Sequence, residues 1–259
     1  MLELTELHPQ VNVLETEYQR LLGYPVDHTL EGRARELADA ARNWYAGNGR
    51  PWLYARELDT LELREGKLRL GGREFSSRRL HDVLATANAH SVALLAASAG
   101  PECVEEAQRL WRESKPDEYF FMEVFGSAVV EHLVTMASGR ICAWADQRQM
   151  AVLPHYSPGF TGWDIAEQIP LWHLIQPIQG RRLPGELSVL ESGMLRPKKS
   201  QLAVFGLTRD LDKARNFAKL IPCANCSLPG CQYRRINYRH APPRLEDLPR
   251  RSRSVPTSL

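Results

Sequence analysis

Three cysteines within nine residues carry the most chemistry. Cys223, Cys226 and Cys231 form C-x2-C-x4-C in the segment Pro-Cys-Ala-Asn-Cys-Ser-Leu-Pro-Gly-Cys. In a reducing compartment such crowding points to metal rather than to a disulfide. The spacing is not the C-x2-C-x2-C of ferredoxins. Three thiolates on a [4Fe–4S] cluster leave one iron open. Structural zinc takes four protein ligands, and Cys142, Cys103 or His240 could be the fourth. The third alternative is a metal-free knuckle folded by its Pro-Gly turn.

A second set of residues lies upstream. On a helix read over 118–138, Glu131 shares a face with Val124 and Ala128 by i, i+4, i+7 spacing. A carboxylate on an apolar face is costly unless something pairs with it. It is therefore half of an internal ion pair, an acid at the helix edge, or a ligand for a cationic group. The loop His155-Tyr-Ser157-Pro158-Gly159-Phe160 follows. Proline fixes φ there, and glycine lets backbone approach a ligand closely. Tyr156, Phe160 and Trp163 offer aromatic faces to an adenine ring or a cation. Glu191 and Ser192 end an apolar strand, and Pro197-Lys-Lys-Ser200 makes a turn, its lysines read as exposed.

The elements that must position these residues follow from pattern. Glu31–Tyr45 reads as an amphipathic helix, and Leu61–Arg64 with Lys67–Leu70 as a hairpin. Ser76 or Ser77 caps a helix to about Ala87. Ser91–Ser98 is a buried strand, followed after Gly100-Pro101 by a helix to Arg112. Helices are expected over 118–138, over 141–152 and from Asp164 to Ile175. Strands are expected over 187–190 and 202–206, and a last helix over 211–220. Trp111, Trp144 and Trp172 read as core. The mixture makes the chain α+β, with a main domain over 1–210, a Cys-rich appendage over 211–235 and a basic, unpacked tail over 236–259.

Composition narrows the class. The 259 residues are 43% hydrophobic and 25% charged, with a net charge of +2, as in an ordinary soluble protein. The segment Gln232–Leu259 holds seven arginines against two acids. A solvated tail explains this, and nucleic acid is not an expected partner. The longest apolar run, near Val92–Ala99, falls short of the roughly 20 residues a membrane helix needs. The acidic start lacks the features of a signal peptide. A cytoplasmic protein without membrane spans is expected.

In order and spacing the upstream segments resemble the activation (AdoMet-binding) domain of cobalamin-dependent methionine synthase, and more closely its stand-alone relatives. Gly126-Ser-Ala-Val-Val-Glu131 resembles the family's helix bearing a ligand-binding glutamate. His155-Tyr-Ser-Pro-Gly-Phe160 resembles its Arg-x-x-Pro-Gly-Tyr loop, with His155 in place of the arginine and Phe160 in place of the tyrosine. Leu190-Glu191-Ser192 through Ser200 resembles its Leu-Thr-Glu-Ser strand and Pro-x-x-Ser turn. The similarity spans about residues 10–210.

The resemblance implies a twisted antiparallel sheet with helices. It implies an accessory protein for reductive reactivation, by methylation, of a cobalamin held on a corrinoid protein or a cobalamin-dependent methyltransferase. S-adenosylmethionine would lie against Glu131, His155, Ser157, Pro158, Gly159, Phe160, Glu191 and Ser192, with no covalent nucleophile from the chain. Electrons would come from a low-potential donor such as flavodoxin or ferredoxin, and an iron–sulfur cluster on Cys223, Cys226 and Cys231 could carry them. Two alternatives remain: a cluster-dependent AdoMet-cleaving enzyme on the same fold, and a non-enzymatic zinc-knuckle binding module.

Overall fold

The computed structural model describes residues 1–25, 28–64, 66–177 and 182–217. They belong to one compact unit, Met1–Leu220. In chain order the elements are β1 (Glu3–Leu7), α1 (Glu15–Leu21), α2 (Gly32–Asn48), β2 (Trp52–Leu58), β3 (Leu61–Arg64), β4 (Lys67–Leu70), β5 (Arg73–Phe75), α3 (Arg78–Thr86), β6 (Ala89–Ser98), α4 (Glu102–Arg112), α5 (Pro116–Asp146), β7 (Ala151–Val152), a 3-10 turn (Ile165–Glu167), α6 (Gln168–Ile175), β8 (Ser188–Val189), β9 (Leu195–Arg196), β10 (Ser200–Thr208) and α7 (Leu211–Phe217). The chain is α+β, as expected.

The main sheet is antiparallel, in the order β1-β2-β6-β10-β7. Its middle is β6, paired to β2 from Trp52↔Ser98 to Leu58↔Val92 and to β10 from Ser200↔Ser98 onward. Alternate residues divide between two cores, as the two-residue period of a strand requires. Leu53, Ala55, Ala93, Leu95, Ala97, Ala203, Phe205 and Leu207 face α1, α2, α4 and α5. Tyr54, Val92, Leu94, Ala96, Leu202 and Val204 face the β3-β4-β5 meander, α3 and α6. Both faces are thus covered. This explains why β6 reads as an unbroken apolar run rather than an alternating one.

Sequence reading placed two helices over 118–138 and 141–152. The structure has one, α5, 31 residues long with Pro116 in its first turn. Gly139 is exposed, and a Cβ there would meet nothing within 4 Å. Its cost of about 1 kcal/mol is offset because Ala137, Ile141 and Ala145 keep the core register across it. An 18-residue window of α5 is apolar enough to cross a membrane, yet 61% of that window is buried inside the fold. Its apolar residues belong to the helix-side core. The tail of the expected second helix is the edge strand β7. Trp144 and Trp172 are half-buried against the two cores, whereas Trp111 is 61% exposed. The latter lies in the last turn of the amphipathic α4, where its ring meets Tyr119 at 5.1 Å.

β1 and β2 were not read as strands. β1 is short and polar on one face, and β2 pairs along its whole length with β1 and β6. Ser77 does cap α3, its Oγ accepting from the Leu80 N–H at 3.4 Å.

Candidate functional site

The Pro-Gly loop runs along the β7–β10 edge of the sheet. Leu153 N–H donates to Gly206 at 2.8 Å, and Tyr156 exchanges both backbone bonds with Val204. Alternation sends the two aromatic neighbours to opposite sides. The His155 ring lies 5.8 Å from that of Phe160 and 5.6 Å from that of Phe205, on the helix side. The Tyr156 ring stacks on Trp163 at 6.1 Å and receives Arg79 over its face. Ser157 turns inward, its Oγ accepting from Gln201 Nε2 at 2.9 Å. The bend then closes on itself through Gly159 N–H to Trp163 O, Phe160 N–H to Ser157 O and Trp163 N–H to Phe160 O. Gly159 sits at φ +92° and is exposed, a backbone setting that glycine adopts without penalty. Pro158 is buried, while His155 and Phe160 are half-buried. The Phe160 ring also meets Tyr156 edge to face at 5.5 Å.

Behind the bend stands the 3-10 turn, with Ile165 3.8 Å from a Cβ built on Gly159. The Leu190–Gly193 turn joining β8 to β9 leans on the same 3-10 turn. Gly193 has φ +80°, and a Cβ there would fall 2.4 Å from Ile165 O. Glu191 and Ser192, on this turn, are exposed, and Ser192 Oγ accepts from Met194 N–H at 3.4 Å. The loop, the 3-10 turn and the Glu191–Ser192 turn thus form one contiguous array.

Glu131 stands apart on α5. Val124 and Ala128, on its face, are buried, but its own side chain is 33% exposed and paired with Arg20 Nη2 at 2.6 Å. Of the alternatives read from the sequence, Glu131 is an ion-paired acid at the edge of the apolar face. The countercharge is the guanidinium of Arg20 on α1. On α5, Arg140 reaches Glu6 on β1 at 2.9 Å, and His132, beside Glu131, accepts from Asn12 N–H at 3.3 Å.

Sequence reading missed two groups. Arg20 is 11% exposed and bridges Glu131 to Glu17, 2.9 Å away; no spacing rule links α1 to α5. The other centres on Lys199, taken as part of an exposed turn but only 14% exposed. Its Nζ lies 3.1 Å from Glu123 Oε2 and donates to Ser127 Oγ at 2.9 Å, and Lys198 meets Glu123 Oε1 at 2.6 Å. The i, i+4 spacing of Glu123 and Ser127 was the available signal. Gly126 lets Lys199 and Cys103 come this close, since a Cβ there would lie 3.1 Å and 3.2 Å from them.

Cys223, Cys226 and Cys231 lie outside the described residues. Among the described residues no three potential ligands gather in a metal-binding group. Cys103, a candidate fourth ligand, is 1% exposed with its thiol directed at Gly100 O. Burial pushes that thiol up to about 12, which disfavours the thiolate a metal needs.

The chain matches no protein-family model and no curated protein. Its fold is similar to a crystal structure of the MetH reactivation domain bound to AdoHcy, with a TM-score of 0.55 and 11% identity over 70% of this chain and 67% of that one.

Proposed function

We propose that this chain binds S-adenosylmethionine and its product at the β7–β10 end of the sheet, and serves the reductive methylation of a corrinoid held on another protein. The observation that supports this most is the fold, similar to that of a reactivation domain bound to AdoHcy, with the Pro158–Gly159 bend tied to the β10 edge of its sheet. The residues present fit such a ligand. Glu131 is a partly exposed carboxylate paired with Arg20, a countercharge that a ligand ammonium would replace. An open glycine bend admits close backbone approach, and the His155–Phe160 ring pair offers a face to a heterocycle or sulfonium.

In this reading Glu131 balances the ammonium and orients the amino-acid end. Phe160 and His155 pack against the nucleoside, with Phe205 behind His155. Pro158 and Gly159 set the path of the backbone, and Ser157 anchors the loop to β10 through Gln201. Glu191 and Ser192 form the polar rim. AdoMet, when bound, supplies the methyl group on its sulfonium. The chain's own contribution is positioning and exclusion of water. Cobalamin arrives on the partner, and a low-potential donor such as flavodoxin or ferredoxin provides the electron. The cysteine triad, as an iron–sulfur cluster, would carry that electron; zinc there would instead serve structure.

Calorimetric titration of AdoMet and AdoHcy into the full anaerobic chain tests the binding. One saturable site is expected, weakened by Glu131→Gln. Absence of heat and of any thermal shift at about 1 mM ligand, equivalent to binding weaker than roughly −4 kcal/mol, sinks the reading. Iron and acid-labile sulfide analysis of the same sample decides between cluster and zinc.

A further inference from the structure

We propose that the cavity at the α5–β7 turn is a separate ligand site, which takes a small phosphate-bearing anion between Arg148 and Arg209. It uses none of the residues assigned to AdoMet above and stands or falls without that reading. The cavity has a volume of about 540 Å3 and is lined by Asp146, Arg148, Gln149, Met150, Arg209 and Leu211. That size is within the roughly 300–1,000 Å3 of small-molecule sites. Local structure fixes where the two arginines stand. α5 ends in a left-handed cap, with Met150 N–H donating to Ala145 O at 3.1 Å and Gln149 at φ +56°. Arg148 lies over the Trp144 ring at 4.6 Å, and its Nη1 donates to Trp144 O at 3.1 Å. On the other side, the pair Thr208↔Ala151 closes the β7–β10 ladder, so Arg209 and Met150 leave it side by side.

Among the described residues neither guanidinium is ion-paired. Asp146 is the one acid of the lining, which leaves it a charge of +1 (2 − 1). The field of this corner reaches the neighbouring β6: burial lowers the pKa of His90, and the charge of Arg209 lowers it further, against Glu57. A phosphate group can accept from two guanidinium forks at once. Met150 and Leu211 give the organic part of an ester an apolar side. Bound there, the anion ties the α5–β7 turn to the end of β10 across a ladder only two residues long. It thereby steadies the strand that leads into the Pro-Gly loop.

The test titrates inorganic phosphate into the full chain, with acetate as the carboxylate comparator and sodium chloride holding the ionic strength. Because Gln232–Leu259 carries seven further arginines, the readout must be local. Proton NMR of the His90 ring, assigned with His90→Gln, provides it. Phosphate on Arg209 removes part of the charge that depresses His90, so the His90 pKa should rise in phosphate and hold in acetate or chloride. The phosphate concentration at half-shift gives the affinity. Arg148→Gln should weaken it about tenfold, the worth of one charge-assisted contact near the surface. Arg209→Gln should itself raise the His90 pKa and abolish the response, while Arg112→Gln, an exposed arginine of α4, should change neither. A His90 pKa indifferent to phosphate, an equal response to acetate, or a response undiminished in Arg148→Gln overturns the inference. A response to heparin alone also overturns it, since the cavity would then be a face for an acidic macromolecule.

Discussion

Gly193→Ala offers a quantitative test of how the loop, the 3-10 turn and the Glu191–Ser192 turn are locked together. Two costs apply. At φ +80° an L side chain pays about 1 kcal/mol for the left-handed backbone, and a Cβ would also stand 2.4 Å from Ile165 O and 2.8 Å from Ile165 C. Both neighbours are backbone, so one turn must move by several tenths of an ångström or more. Overpacking of this kind costs about 1–3 kcal/mol. The sum is about 2–4 kcal/mol, or a fall in melting temperature of roughly 4–16 °C for a unit of this size. Gly72→Ala is the matched control: its φ is +79°, and nothing lies within 4 Å of its Cβ. It should show only the backbone cost, about 1 kcal/mol. Urea unfolding of both variants, followed by far-UV circular dichroism, gives the difference directly. Because Ile165 also backs Gly159, AdoHcy affinity should fall for Gly193→Ala and hold for Gly72→Ala. Equal destabilisation by the two substitutions refutes the packing of the hairpin turn on the 3-10 turn.

Three further outcomes are expected. Tyr45→Phe removes a buried hydroxyl that donates to Ala99 O at 2.6 Å; leaving that carbonyl unmet should cost about 1–2 kcal/mol by urea denaturation. The Cys103 thiol, pushed up to about 12 by burial, should resist iodoacetamide at pH 8 in the folded chain and react in urea, as mass spectrometry of the peptide will show. Burial lowers the pKa of His132 below its ordinary 6.5, and its Nε2 accepts from Asn12 N–H at 3.3 Å. The unfolded state then binds the proton first as pH falls. Stability from this group is present above pH 6.5 and lost as pH drops through the folded pKa. His132→Gln should flatten the urea midpoint between pH 7.5 and 5, in part only, because burial lowers His90 in the same sense.

The elements with strong local signals were legible. The 32–48 helix, the Glu65-Gly66 hairpin, the Ser77 cap and the apolar β6 all follow from period, turn chemistry and capping. β1 and β2 were not, because their strand character comes from pairing with partners distant in the chain. α5 reads as two helices, 118–138 and 141–152, whereas packing of Ala137, Ile141 and Ala145 carries one helix across Gly139. The site divides in the same way. The Pro-Gly bend and the position of Glu191–Ser192 on a turn were readable from residue types. That Glu131 has a guanidinium partner on α1 was not, since 111 residues separate them and no periodicity spans that distance. Lys199 shows the reverse error: a Lys-Lys pair beside proline looks solvated, yet Glu123 and Ser127 draw one of the two into the interior.

The covering of the sheet edge has a consequence for self-association. Among the described residues, the outer side of the nine-residue strand β10 is met by the two residues of β7, by Leu153 N–H on Gly206 O and by the bridge of Tyr156 to Val204. The loop that would hold a ligand is thus also the cover of an otherwise open row of amide groups, flanked by Leu202, Phe205 and Leu207. Whatever draws residues 155–160 outward uncovers an apolar strand edge, the template on which chains stack. A molecule seated against this loop would therefore act as its own chaperone, holding the cover shut, and the ligand-free chain should be the form that aggregates on storage.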